Sequence, residues 1–159
     1  MMRKGFTLLE LIIVIGIIST LIALESFVFV NSQKNARDGR RKADLENIRA
    51  AVEQYRSNNN SYPQNSRVVF ATSCTTNGSL QDTAVPPNIY INPLPSDPRC
   101  QVYSYYYTAL PSGCVEPACI DYVVGATLEN AVGTCVPATD CQNTGSVACE
   151  YCLGPYGKK

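Results

Sequence analysis

Three patterns of apolar and polar positions follow one another along the chain. Residues 1–24, MMRKGFTLLELIIVIGIISTLIAL, begin with two basic residues and then run apolar on every face. Between Phe6 and Leu24 only Thr7, Glu10, Gly16, Ser19 and Thr20 break the run. At ~1.5 Å per residue that helix is about 28 Å long, close to the ~30 Å hydrocarbon core of a bilayer. Residues 33–58, QKNARDGRRKADLENIRAAVEQYRSN, change to a single stripe, in which Leu45, Ile48, Val52 and Tyr55 recur at helical spacing. Charge pairs four apart (Asp38–Lys42, Lys42–Glu46, Arg49–Glu53) are expected to support the helix. Gly39 weakens it by ~1 kcal/mol relative to alanine and permits a local bend. Nothing between Leu24 and Gln33 forces a break, so one helix is expected from about Phe6 to Asn58. It stops at NNNSYP, where Pro63 holds Tyr62 extended.

Beyond Pro63 the pattern becomes short and punctuated. Residues 66–72, 101–110 and 120–128 read as strands, with Tyr103, Tyr105 and Tyr107 on one face of the second. The tyrosine row is expected to be sheet core and rim, not a base-stacking platform. Antiparallel strands packed on the helix stripe make an α+β fold. The organisation expected is residues 1–5 as a leader, 6–30 as a transmembrane and assembly helix, 31–62 as its amphipathic continuation and 63–159 as a globular domain.

Composition narrows the chemistry. The chain has 159 residues, a formal net charge of zero, 16% charged residues, and neither histidine nor tryptophan. The usual general base and commonest transition-metal ligand are therefore missing. No G-x-S-x-G or recognisable carboxylate pair appears, so an enzyme is not expected. Arg37, Arg40, Arg41 and Lys42 cluster on the helix, but a solvated face paired with acids is the expectation over contact with nucleic acid or lipid headgroups. All eight cysteines fall in the second half: Cys74, Cys100, Cys114, Cys119, Cys135, Cys141, Cys149 and Cys152. Their spacing lacks the tight, repeated form of a zinc site, so structural disulfides are expected, with 105 pairings open. They are expected to staple an irregular C-terminal region. Asp97, Asp121 and Asp140 stand isolated, and no metal or other cofactor is assigned.

The N-terminal run is longer than the ~7–15-residue core of a cleaved secretory signal and has no clear small-residue cleavage site after it. A plain anchor fits the length but leaves Glu10 unexplained, because an acid in lipid is costly. The stretch R-K-G-F-T-L-L-E, residues 3–10, resembles the leader junction of type IV pilins and type II secretion pseudopilins. The resemblance implies a basic leader with Arg3 and Lys4, a cut between Gly5 and Phe6 by a prepilin peptidase, and N-methylation of Phe6. It also implies Glu10 as the assembly glutamate. The cut leaves a positive amine at a helix end that is already positive by its dipole. Buried among apolar helices, that amine needs an anion, and Glu10 of an axially shifted neighbour supplies one. The implied product is a homo-oligomeric helical filament, a pilus or pseudopilus, made with other pilin-like subunits and an assembly-platform membrane protein. The other reading is a monomeric, membrane-anchored, cysteine-rich binding module.

Two departures from the family pattern stand out. No proline lies late in the apolar segment, and Lys34, Arg37, Arg40, Arg41 and Lys42 follow it on the side where few basic residues are expected. Disulfides persist outside the cytoplasm, which places the C-terminal part outside. The implied location is the cytoplasmic membrane, single-pass with a cytoplasmic N-terminus, and then a surface or periplasmic filament. Pro95, Asp97 and Pro98 also resemble a P-x-D-P motif that precedes an aromatic strand in major pseudopilins. The calcium loop of those proteins has no clear counterpart in residues 114–135.

Overall fold

An uninterrupted apolar run followed by an amphipathic one gives one uninterrupted helix. The computed structural model describes residues 5–70, 74, 78–130, 135 and 149–159, without the side chains of 24–28. Helix α1 spans Leu8–Asn59, close to the expected bounds, and continues through Gly39. The chain divides into two compact units, residues 1–36 and 37–159, and α1 contributes to both.

In the first unit the apolar side chains from Phe6 to Ile22 are exposed on all sides of the helix. The polar residues within the run close on their own backbone: Ser19 Oγ donates to the Ile15 carbonyl and Thr20 Oγ1 to the Ile17 carbonyl, both at 2.7 Å. Neither hydroxyl then needs water. Among the described residues no helix is long and apolar enough to cross a membrane. The described apolar side chains of this stretch stop at Ala23, short of the ~20 residues a span needs, and the expected span includes 24–28.

In the second unit the stripe is the core. Leu45, Ile48, Val52 and Tyr55 are buried on α1, joined by Tyr62, Leu80, Leu94, Tyr105, Tyr107 and Tyr122. A small hairpin pairs β1 (Leu80–Gln81) with β2 (Ile89–Ile91). The main sheet is antiparallel in the order β3 (Tyr106–Leu110), β4 (Asp121–Ala126), β5 (Tyr151–Gly154), β6 (Gly157–Lys158). Tyr106 pairs with Gly125 across β3 and β4, and Gly125 with Cys152 across β4 and β5. Gly125 is needed for that packing, since a Cβ there would lie 2.8 Å from Cys152 Sγ and 3.0 Å from Cys149 Cβ.

Several expectations are corrected. Residues 65–67 form a turn of 3-10 helix where a strand was expected to begin, and β3 starts only at Tyr106 because 99–102 turn. Part of the C-terminal region expected to be irregular is the β5–β6 hairpin, which completes the sheet. Its residues carry no alternation to announce it; β4 supplies the edge on which it forms. Tyr105 and Tyr107 are indeed buried, as the core reading of the tyrosine row requires.

Disulfides join Cys74 to Cys100, Cys114 to Cys119 and Cys135 to Cys152. Cys149 is also disulfide-bonded, while Cys141 and Asp140 lie outside the described residues.

Candidate assembly site

The N-terminal site is built by local chemistry. Residues 5–7 precede the helix without regular structure, and Gly5 and Phe6 are exposed. Thr7 takes the N-cap place and Glu10 stands three residues on. The Glu10 carboxylate accepts from Thr7 N at 2.9 Å and from Thr7 Oγ1 at 2.8 Å, both through Oε2. Glu10 N donates back to Thr7 Oγ1 at 3.3 Å. This is a capping box, which satisfies donors that the first turn leaves without partners. A plain anchor therefore has a use for Glu10 after all, and the spacing T-x-x-E was the missed signal. Among the described residues both bonds fall on Oε2 and none on Oε1. Arg3 and Lys4 lie outside the described residues.

A second constellation ties α1 to the globule. Arg41 is fully buried, yet bonds through all three nitrogens: Nε and Nη2 fork onto Asp97 at 2.7 and 3.0 Å, and Nη1 reaches Asp38 at 2.8 Å and Glu129 at 3.1 Å. Arg37 grips Glu129 with two bonds of 2.6 Å. Asp38 also accepts the backbone N–H groups of Glu129 and Asn130, at 2.9 and 3.0 Å. Burial works against the charge on Arg41, but the carboxylates of Asp97, Asp38 and Glu129 more than offset it and raise its pKa. The Arg37 fork, with Arg41 beside it, holds the Glu129 carboxyl at about 2.

The basic cluster on α1 is thus not a solvated face: its centre is an internal ion network. Arg40 alone of the three arginines keeps the expected character, largely exposed and 3.7 Å from Asp44. The expected i,i+4 pairs are replaced as well. Arg49 bonds Glu46 at 2.8 Å, and Lys42 lies over the Tyr151 ring. Glu53 accepts the hydroxyl of Tyr122 at 3.0 Å, and Asp44 that of Tyr105 at 2.7 Å. Burial and then these carboxylates raise the pKa of both tyrosines, fixing them as donors. Asp97 is not isolated: between the two prolines its Oδ1 accepts Arg99 N at 2.7 Å, which aims it at Arg41. Asp121 pairs with Lys159 at 2.7 Å.

A capped apolar helix that leads into a small α+β globule defines the class, and its first part can be matched directly. Residues 1–24 match the family model described as the prokaryotic N-terminal methylation motif. Residues 28–115, more than half of the chain, match the model of type II secretion system protein G; the chain belongs to that family. It is similar to the type II secretion system core protein G of Pectobacterium carotovorum, 28% identical over 96 residues, 60% of this chain and 62% of that protein. It is also similar to the core protein G of Pseudomonas aeruginosa, 29% identical over 103 residues, 65% of this chain and 72% of that protein. The chain thus spans less than two thirds of the Pectobacterium relative. No solved structure matches it. Strands β4 to β6 lie beyond the residues that the protein G model matches.

Proposed function

We propose that this chain is a structural subunit of the type II secretion pseudopilus. A prepilin peptidase cuts it between Gly5 and Phe6 and methylates the new Phe6 amine. The N-terminal helix holds the subunit in the cytoplasmic membrane and then packs against other copies in a helical filament. Other pilin-like subunits and an assembly-platform membrane protein are its further partners. Pseudopilus is preferred to pilus because the relatives it resembles are secretion-system proteins.

The carrying observation is the helix of the first unit, apolar and exposed on every face, with one capped carboxylate at its start. Such a helix is stable only in lipid or among other apolar helices. In a bundle, the Glu10 carboxylate can take a neighbour's Phe6 amine, which would otherwise be buried unpaired.

Two variants separate this role from capping alone. Glu10→Gln keeps a capping box but loses the charge, since glutamine serves at that position too. Thr7→Ala keeps the charge but loses the cap. Filament yield, with mass spectrometry of the mature terminus, reads the outcome. We expect N-methylated Phe6 in the wild type, loss of filaments by more than tenfold in Glu10→Gln, and a change within about twofold in Thr7→Ala. An intact Met1, or the reverse order of the two variants, returns the chain to a membrane-anchored monomer.

A further inference from the structure

The charges of the second unit are sorted by depth. Among its described acids Glu46 alone is exposed, and it is spent on Arg49 at 2.8 Å. Most of the others are turned inward: Asp38, Asp97 and Glu129 onto Arg41, Asp44 onto Tyr105, Glu53 onto Tyr122, and Asp82 onto Asn88. The bases are placed the other way, with Arg40, Lys42, Arg56, Arg99, Lys158 and Lys159 exposed. A chain whose formal net charge is zero thus shows a positive surface on this unit.

Four of these bases gather round one stretch of α1, residues 37–42. Arg40 and Lys42 lie on it, and the Arg40 side chain is 63% exposed. Arg99 lies over the Tyr103 ring at 5.5 Å, and Arg41 of the same stretch lies over that ring at 5.4 Å. Lys158 and Lys42 share the Tyr151 ring, each 5.6 Å from its centroid. Aromatic faces hold these cations in place without neutralising them. Among the described residues no carboxylate pairs with Lys42 or Lys158, and Arg40 and Arg99 reach theirs only at 3.7 Å.

A second copy of this unit has Glu46 as its one exposed acid among the described residues, so the surface is not complementary to itself. It fits a partner with closely spaced negative charge. The chain narrows the choice. Phe29 and Val30 are exposed and apolar, and Arg37 follows Val30 by seven residues, about 10 Å of α1. Anionic headgroups are the dense array of negative charge that a helix in lipid brings with it. We infer that the basic stretch at 37–42, with Arg99 and Lys158, docks on the anionic phospholipids of the bilayer that holds the N-terminal helix. Each base close to such a surface strengthens the contact by about fivefold, over a Debye length of ~8 Å. The inference rests on the membrane part of the proposed function and gives the second unit a partner of its own there.

The test places the full chain in bilayers of phosphatidylcholine with about 30% phosphatidylglycerol and adds a trace of either lipid in spin-labelled form. Electron spin resonance then reads two things. The amount of lipid immobilised reports the inserted helix, and the ratio of the two lipids in that shell reports charge. The wild type should prefer phosphatidylglycerol by about threefold or more, and about 0.5 M salt should remove the preference. Lys42→Gln with Lys158→Gln should at least halve it. Arg56→Gln with Lys159→Gln removes as much charge from other parts of the unit, over Tyr62 and beside Asp121, and should leave the ratio unchanged. Both pairs spare the Arg41 network, so circular dichroism should match the wild type. A salt-resistant preference, an equal fall in the two double variants, or no fall in the first overturns the inference and returns the basic stretch to an acidic protein or a nucleic acid. If neither lipid is immobilised, the membrane reading fails with it.

Discussion

Arg41→Met removes a fully buried guanidinium and leaves three carboxylates to find other partners. They are not equally harmed. Glu129 keeps both bonds to Arg37, and Asp38 keeps the N–H groups of Glu129 and Asn130. Asp97 keeps only Arg99 N among the described groups, with its side chain 1% exposed. The damage is concentrated there. Breaking a buried ion pair by removing one partner costs about 3–5 kcal/mol, and the methionine stem restores about 1 of that. The expected loss is therefore roughly 3 kcal/mol, or on the order of 12 °C in Tm at ~4 °C per kcal/mol.

The assay is urea unfolding of the full chain in neutral detergent, disulfides intact, followed by near-ultraviolet circular dichroism of tyrosine. All ten tyrosines lie at or after Tyr55, so the signal reports the second unit. Arg41→Met with Asp97→Leu leaves no orphan and should recover about 2 kcal/mol. A single variant that costs under about 1 kcal/mol, or a double variant equal to the sum of its parts, refutes the account.

Other perturbations follow from the same structure. Glu129 and Asp82 are both held at about 2, below their ordinary 4.5 and 3.8, so the stability they add is complete above those values and drains away as pH falls towards 2. Glu129→Gln should flatten that acid slope in urea melts. Gly125→Ala places a methyl against Cys152 Sγ and Cys149, so oxidative refolding should give less native protein, counted by non-reducing peptide mapping. Disulfide loss should scale with the loop closed. Serine replacements of Cys74 and Cys100, 26 residues apart, should cost about 3.5 kcal/mol, and those of Cys114 and Cys119, 5 apart, about 2 kcal/mol in urea melts.

What the sequence made legible was whatever a single element dictates. The stripe of Leu45, Ile48, Val52 and Tyr55 is a property of one helix, and it is buried as a unit. The bounds of α1 follow from a run without breakers and an end at Asn–Pro chemistry. What stayed hidden depends on partners far along the chain. Arg41 meets Asp97 at a separation of 56 residues and Glu129 at 88, so local spacing favoured Asp38–Lys42 and Lys42–Glu46 instead. Strands β1, β2, β5 and β6 are too short to show alternation, and each exists through the strand it pairs with. The capping box is the opposite case: Thr7 and Glu10 carry it openly, at the T-x-x-E spacing of one helix turn.

The two stretches of α1 differ in what they have left to bind. In the second unit the apolar stripe is covered by the sheet and hairpin. Its flanking carboxylates are also taken, Asp44 by Tyr105 and Glu53 by Tyr122, and Arg41 is enclosed by acids. That half of the helix has no apolar face to offer a neighbour. In the first unit the reverse holds: the side chains from Phe6 to Ile22 are exposed, and even the hydroxyls of Ser19 and Thr20 are turned back on the helix. Burying one such leucine or isoleucine yields about 1.5–3 kcal/mol, and a helix apolar on all sides can do so against several neighbours at once. The first stretch of α1 thus has apolar faces still to bury, whereas the stripe of the second is already covered.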